Sequence, residues 1–265
     1  MTSHAHLLRQ LECEAHVWFA NPAAVVDPDQ LATCASILSP EEKDRHSRFK
    51  FEKDRHLFLV AHAMVRTVLS FYVDVHPSAW QFTYTLYGRP EIAMSGINAP
   101  LRFNLTHTDG LVACLVTLNS NCGIDAEKLR LPGKPQGIAE KMFAPSEQHA
   151  LSQLQGEAYL KRFFTYWTLR EAYGKAIGLG LSSPMNHFDF ESVDGDVFNI
   201  RFDAPPVLPP QHWQFTVLKP SPAHIMTIAL CPDEPARKIA VQQFHFSLPH
   251  QARQVSGNDP RSAAI

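Results

Sequence analysis

The sequence predicts an α+β protein made of two similarly ordered halves. Two long stretches, from about Glu52 to Val73 and from Glu157 to Gly178, carry apolar and aromatic residues in the pattern of largely buried helices. Shorter apolar runs bounded by turn residues read as strands around them. The order strand, short helices, long helix and strand then occurs twice, although residue identity between the halves is too weak for a sequence repeat.

Along the chain, the first half reads as a strand near His16 to Ala20, short helices across Pro28 to Phe49, the long helix, and a strand at Trp80 to Thr85. Phe103 and Leu105 alternate toward Thr106, His107 and Thr108, as at a strand end, and Leu111 to Leu118 is a continuous apolar run. Gly123 to Glu127 follows the polar Asn119-Ser120-Asn121-Cys122 and reads as the second strand of a hairpin with that run. The second half continues with short helices across Gln136 to Leu154 and the long helix from Glu157. Strands follow near His187 to Ser192, Val197 to Phe202, His212 to Leu218 and His224 to Cys231, with prolines such as Pro205-Pro206 and Pro209-Pro210 marking loops. The expected organisation is residues 1–121, residues 122–235, and an extension over 236–265. That extension has an apolar patch from Val241 to Leu248 and a polar, mobile end.

Composition narrows the function classes. A chain of 265 residues with 45% hydrophobic content can bury a substantial core. A net charge of −2 argues against a general nucleic-acid binder. The five cysteines are spread out with no C-x-x-C pair, so neither a zinc site nor a disulfide framework is expected, and reduced thiols fit a cytoplasmic protein. No run of eighteen apolar residues spans a bilayer, and Met1 to Gln10 is too polar for a signal peptide.

Chemistry points to three acidic residues. In a strand, Asp125 and Glu127 share a face, and along the second long helix Trp167, Glu171 and Lys175 share a stripe. Three carboxylates without clustered cysteine or histidine suit a hard cation such as magnesium, which keeps waters and takes further ligands from phosphates. Each piece also has a plainer reading: a solvated strand face for Asp125 and Glu127, and an i,i+4 pair between Glu171 and Lys175. Thr106 and His107 offer donors to an anionic oxygen, and Arg89 in the turn Tyr87-Gly88-Arg89-Pro90 could clamp a phosphate. Yet Thr108-Asp109-Gly110 is also an ordinary turn.

Gly88-Arg89-Pro90, Phe103-Asn104-Leu105-Thr106-His107, Gly123-Ile124-Asp125-Ala126-Glu127 and Trp167 to Lys175 occur in that order. The set resembles the 4′-phosphopantetheinyl transferases of the surfactin (Sfp) type, which share a G[KR]P turn, an FN[IL]SH segment, a GIDIE strand and a W-x-x-KEA-x-x-K helix. The resemblance runs from about residue 12 to 232. Thr106 replaces the usual serine, Ala126 the usual isoleucine or leucine, and Arg170 the usual lysine. Thr106 keeps the hydroxyl, whereas Arg170 is not equivalent to lysine as a point donor.

The resemblance implies a pseudo-twofold α+β architecture with the site between the halves. It implies transfer of the phosphopantetheine arm from coenzyme A to a serine of an apo acyl or peptidyl carrier protein by a monomer, with adenosine 3′,5′-bisphosphate released. Asp125, Glu127 and Glu171 would hold Mg2+. Thr106 and His107 would bind coenzyme A phosphates, with Arg89 near the adenosine end and Lys175 at the pyrophosphate. Glu127 is the first candidate base and neutral Lys175 the second.

Arg45 and Arg48 lie in the strongest basic cluster, Lys43 to Arg55, which reads either as a solvated helical face or, by the resemblance, as a 3′-phosphate site. Arg66 matches a family arginine and equally an internal ion pair. Met142-Phe143-Ala144 and Leu179 to Leu181 are candidates for carrier contact or for core. A Mg-dependent nucleotide or pyrophosphate hydrolase, and a catalytically idle coenzyme A or carrier-protein binding module, are the alternative functions.

Overall fold

The computed structural model describes residues 4–94, 97, 99–130, 135–178, 188–194, 197–202, 212–234, 237–247 and 253–254. The protein is α+β and divides into two compact units. One runs to Asn119 and takes in the late strand Ala240–His245, and the other spans Ser120–Ile239.

The first unit begins with a short helix α1 (His4–Gln10) that the sequence reading did not anticipate. Strand β1 (Glu14–Ala20) leads to α2 (Pro28–Ile37), α3 (Pro40–Ser47) and α4 (Glu52–Leu69). Prolines at the first helical position and the caps Asp27 and Ser39 start α2 and α3. Helix α4 ends at Leu69 rather than Val73, where Ser70 Oγ donates back to the Arg66 carbonyl and a tighter turn follows. A hairpin of β2 (Phe82–Tyr84) and β3 (Pro90–Ile92) precedes β4 (Leu101–Thr108) and β5 (Leu111–Leu118).

The second unit contains β6 (Asn121–Lys128), α5 (Pro135–Met142), α6 (Pro145–Ser152) and α7 (Gly156–Ile177). It continues with the hairpin β7 (Phe188–Asp194) and β8 (Val197–Phe202), then β9 (Gln214–Ser221) and β10 (His224–Cys231). Its three-stranded sheet has the order β6-β10-β9, and α7 packs on it over a core that includes Phe163, Leu169, Ala176, Phe215 and Ile225.

The expected hairpin between Leu111–Leu118 and Gly123–Glu127 does not form. Strand β5 is already paired on both edges, with β1 and β4, so it has no free edge for β6. Asn119, the one non-glycine residue at positive φ among those described, turns the chain at the unit boundary. Strand β6 pairs instead with β10, nearly a hundred residues later, with Asp125 opposite Thr227 and Glu127 opposite Ile225.

The extension also departs from expectation over part of its length. After Ile239 the chain forms β11 (Ala240–His245), which pairs in parallel with β1, while β12 (Arg253–Gln254) pairs with β11. Phe244 stacks on Trp18 with ring centroids 4.5 Å apart. The register is held by a buried relay beneath the strand pair. Trp18 Nε1 donates to the Tyr72 hydroxyl at 2.8 Å, and that hydroxyl lies 2.8 Å from His16 Nδ1. The Glu14 carboxylate, 3.0 Å from Nε2, can only accept, so Nε2 carries the imidazole proton and in a neutral ring Nδ1 accepts from the Tyr72 hydroxyl. Burial holds the His16 pKa below its ordinary value, in keeping with a neutral ring. An apolar patch therefore became a sheet strand because β1 offered it an edge and aromatic partners.

The two units use the same device to join a short helix to a long one. In the first, the Ser39 N–H donates to Glu42 Oε2 at 2.9 Å, and the same carboxylate accepts Arg66 Nε at 2.7 Å. Arg66 is 1% exposed and also caps the Pro77 and Trp80 carbonyls, so its role is internal. In the second, Glu147 accepts the Ala144 N–H at 2.9 Å and pairs with Arg170 at 2.6 Å. Arg170 donates further to the Met142 and Phe188 carbonyls at 2.8 and 3.2 Å, and it lies over the rings of Phe143, Phe188 and Phe190.

The departure at Arg170 is thus explained by a planar fork that serves three acceptors at once, in a place a phosphate does not reach. Arg170→Lys is expected to lower stability by about 2 kcal/mol, because one ammonium cannot span those acceptors and a buried carboxylate is left short of donors. Urea denaturation measures this, and an unchanged midpoint would refute it.

Phe143 and Ala144 are buried, so that candidate contact segment belongs to the core, while Leu179 to Leu181 lie outside the described residues. Cys34, Cys114, Cys122 and Cys231 are buried and Cys13 is exposed, all as free thiols. No described helix is long and apolar enough to cross a membrane.

Candidate active site

The site in the second unit exists because β6 and α7 approach unusually closely. A Cβ placed on Gly123 would stand 2.0 Å from the Ala172 carbonyl oxygen and 2.6 Å from the Ala176 nitrogen, so only glycine fits there. Residues 123, 125 and 127 share one face of the strand, so Asp125 and Glu127 lie on the face that α7 covers. The Thr168 hydroxyl, buried in α7, meets the Thr227 hydroxyl on β10 at 2.8 Å and fixes the helix against the sheet. The helix then stops soon after Lys175, because Gly178 takes φ +76 and its N–H caps the Gly174 and Lys175 carbonyls.

Lys175 does not settle on Glu171, one turn away. Its ammonium donates to Asp125 Oδ1 at 2.7 Å and to the Ile124 carbonyl at 3.0 Å. Asp125 is 7% exposed, which overturns the solvated-face reading for that residue. Glu171 is strongly perturbed. Burial first, and then the negative charge of Asp125, push its carboxyl up to about 7; Lys175 pulls it the other way and Glu127 adds to the rise. Both strand carboxylates therefore act on the helix glutamate.

Among the described residues, no group of three or more His, Cys, Asp or Glu side chains is arranged to hold a metal ion. The chemistry of the donor set still fits a hard cation, since a divalent ion would relieve the repulsion that lifts Glu171.

The remaining candidates lie in the first unit. Thr106 is buried and His107 exposed at successive positions of β4, so they face opposite sides of the sheet. Lys53, from the basic cluster, pairs with Asp109 at 2.6 Å and ties the start of α4 to the turn after His107. Arg89 pairs with Glu91, two residues further along the same arm of the hairpin, at 2.6 Å. Arg45 is exposed, with its guanidinium 5.3 Å from the Phe58 ring centroid, and its charge is one of those acting on the Tyr84 phenol. Arg48 forms an exposed i,i+4 pair with Asp44, as in the solvated-face reading.

Sequence reasoning missed two contributors, Gly123 and the Ile124 carbonyl. A glycine inside a strand pattern was the available signal for the first. The backbone acceptor left none, because any residue supplies a carbonyl.

The fold and the site define a two-unit α+β protein with a strand carboxylate pair, a helix glutamate and a lysine bound to one of those carboxylates. Residues 121–231 match the 4′-phosphopantetheinyl transferase superfamily, and residues 26–119 match the 4′-phosphopantetheinyl transferase N-terminal family. The chain is 35% identical over 176 residues to the 4′-phosphopantetheinyl transferase HetI of Nostoc sp., covering 66% of this chain and 73% of that one. It is 28% identical to the 4′-phosphopantetheinyl transferase Sfp of Bacillus subtilis, over 83% of this chain and 88% of Sfp. With the L-aminoadipate-semialdehyde dehydrogenase-phosphopantetheinyl transferase of Rattus norvegicus it shares 26% identity, over 88% and 78% of the two chains. The protein belongs to the 4′-phosphopantetheinyl transferase superfamily.

Proposed function

We propose that the protein transfers the 4′-phosphopantetheine arm of coenzyme A to a serine hydroxyl of an apo acyl or peptidyl carrier protein and releases adenosine 3′,5′-bisphosphate. Family membership across both units carries this reading and favours it over a hydrolase or an idle binding module. In the reaction the serine oxygen forms a bond to the phosphorus nearest the pantetheine. The bond to the bridging oxygen of the pyrophosphate breaks, and the serine proton leaves to a base.

Asp125, Glu127 and Glu171 are the residues that would hold Mg2+, which supplies charge stabilisation at phosphate oxygens. Lys175 would contribute a donor to the pyrophosphate. Its amine is paired with the Asp125 carboxylate at 2.7 Å, an interaction that favours the charged form, and Glu127 is therefore the stronger candidate base. Thr106, His107, Arg45, Arg48 and Arg89 are proposed to bind phosphates of coenzyme A. A monomer and a cytoplasmic location belong to the same reading.

The test is intact mass spectrometry of several apo carrier proteins incubated with the protein, coenzyme A and magnesium, with EDTA as control. A magnesium-dependent gain of one arm is expected. Breakdown of coenzyme A with no modified carrier would instead identify a hydrolase. His107→Ala is expected to weaken coenzyme A binding about tenfold, the loss of one charge-assisted hydrogen bond. Titration calorimetry checks this, and an unchanged affinity would return His107 to a structural role.

A further inference from the structure

We infer that Lys175 is the resident cation of the acidic site, that it holds metal affinity low in the free protein, and that coenzyme A admits the metal by offering the ammonium a second anion. This rests on the metal assignment proposed above and extends it to the order in which the site fills. The ammonium sits 2.7 Å from Asp125 Oδ1 and 3.0 Å from the Ile124 carbonyl oxygen, with the Asp125 side chain 10% exposed and that of Lys175 28% exposed. It also acts on Glu171, opposing the rise of that carboxyl. One lysine therefore offsets the charge of two of the proposed ligands.

A divalent ion entering this space meets a like charge already placed on its own ligand, which disfavours it. Lysine is a point charge on a flexible stem, so it can leave Asp125 when another anion is within reach. The pyrophosphate of coenzyme A is such an anion. Its arrival draws the ammonium away and frees Asp125 Oδ1 for the metal. Because coupling between two ligands is reciprocal, metal then tightens coenzyme A by the same factor.

The experiment counts free Mn2+ by electron paramagnetic resonance, in the absence of carrier protein, with and without coenzyme A. Lys175→Met keeps the apolar stem and removes the charge. It is expected to raise Mn2+ affinity of the coenzyme-free protein about tenfold or more and to shrink the enhancement that coenzyme A produces in the unaltered protein. Lys175→Arg, which retains charge, should not raise affinity. Unchanged or weaker Mn2+ binding by Lys175→Met, with binding lost in Asp125→Asn, would overturn this inference and leave the metal assignment standing. Undiminished binding in Asp125→Asn would overturn both.

Discussion

Asp125→Asn is expected to lower the rate of phosphopantetheine transfer by at least about a hundredfold, while the protein stays folded. Asparagine keeps the shape of the side chain and an oxygen for Lys175, so packing between β6 and α7 is preserved. What is lost is a negative charge beside Glu171 and Glu127 in a largely buried place. That charge is the one best sheltered from water, so it offers a cation more than an exposed carboxylate would. Stability should move by no more than about 1 kcal/mol, since the partner ammonium is partly solvated. Transfer rates at saturating coenzyme A, set beside thermal melting, decide the matter. A variant as fast as the parent would remove Asp125 from the reaction; a variant that unfolds would make its role structural.

Gly123→Ala is expected to destabilise the protein by about 3 kcal/mol or more, or to prevent folding. The added methyl would meet backbone atoms of α7, not the movable end of a side chain, so the helix or the strand has to shift as a whole. Any shift carries Asp125 and Glu127 away from Glu171 and Lys175, and displacement by about 1 Å is enough to cost a hundredfold in rate. Stability and activity should therefore fall together, in contrast to Asp125→Asn. Denaturant unfolding gives the first quantity and the carrier assay the second. A stable, active Gly123→Ala protein would show that the close approach is not required.

Both predictions separate what was legible in the sequence from what was not. Helices α4 and α7 were readable because long runs of apolar and aromatic residues, too long for a strand, mark largely buried helices. The carboxylates and Lys175 were readable because reactive side chains at fixed spacing are themselves the signal. The partner of β6 was not, since pairing depends on which sheet edge is open, and β5 had none to give. Strand β11 was missed for the same reason, because its edge lies on β1, at the other end of the sequence.

Local spacing by itself determined the two long helices and most of the strands, the acidic trio and the family the chain resembles, because these depend on neighbours within a turn or a strand. The tertiary structure alone decided that Arg66 and Arg170 are internal struts, that Gly123 permits the contact between β6 and α7, and that Lys175 lies on Asp125 rather than on Glu171. Those outcomes depend on atoms well separated along the chain, 24 residues for Arg66 and Glu42, 23 for Arg170 and Glu147, and 50 for Lys175 and Asp125, competing for the same donors, acceptors and space, and no local pattern records who wins.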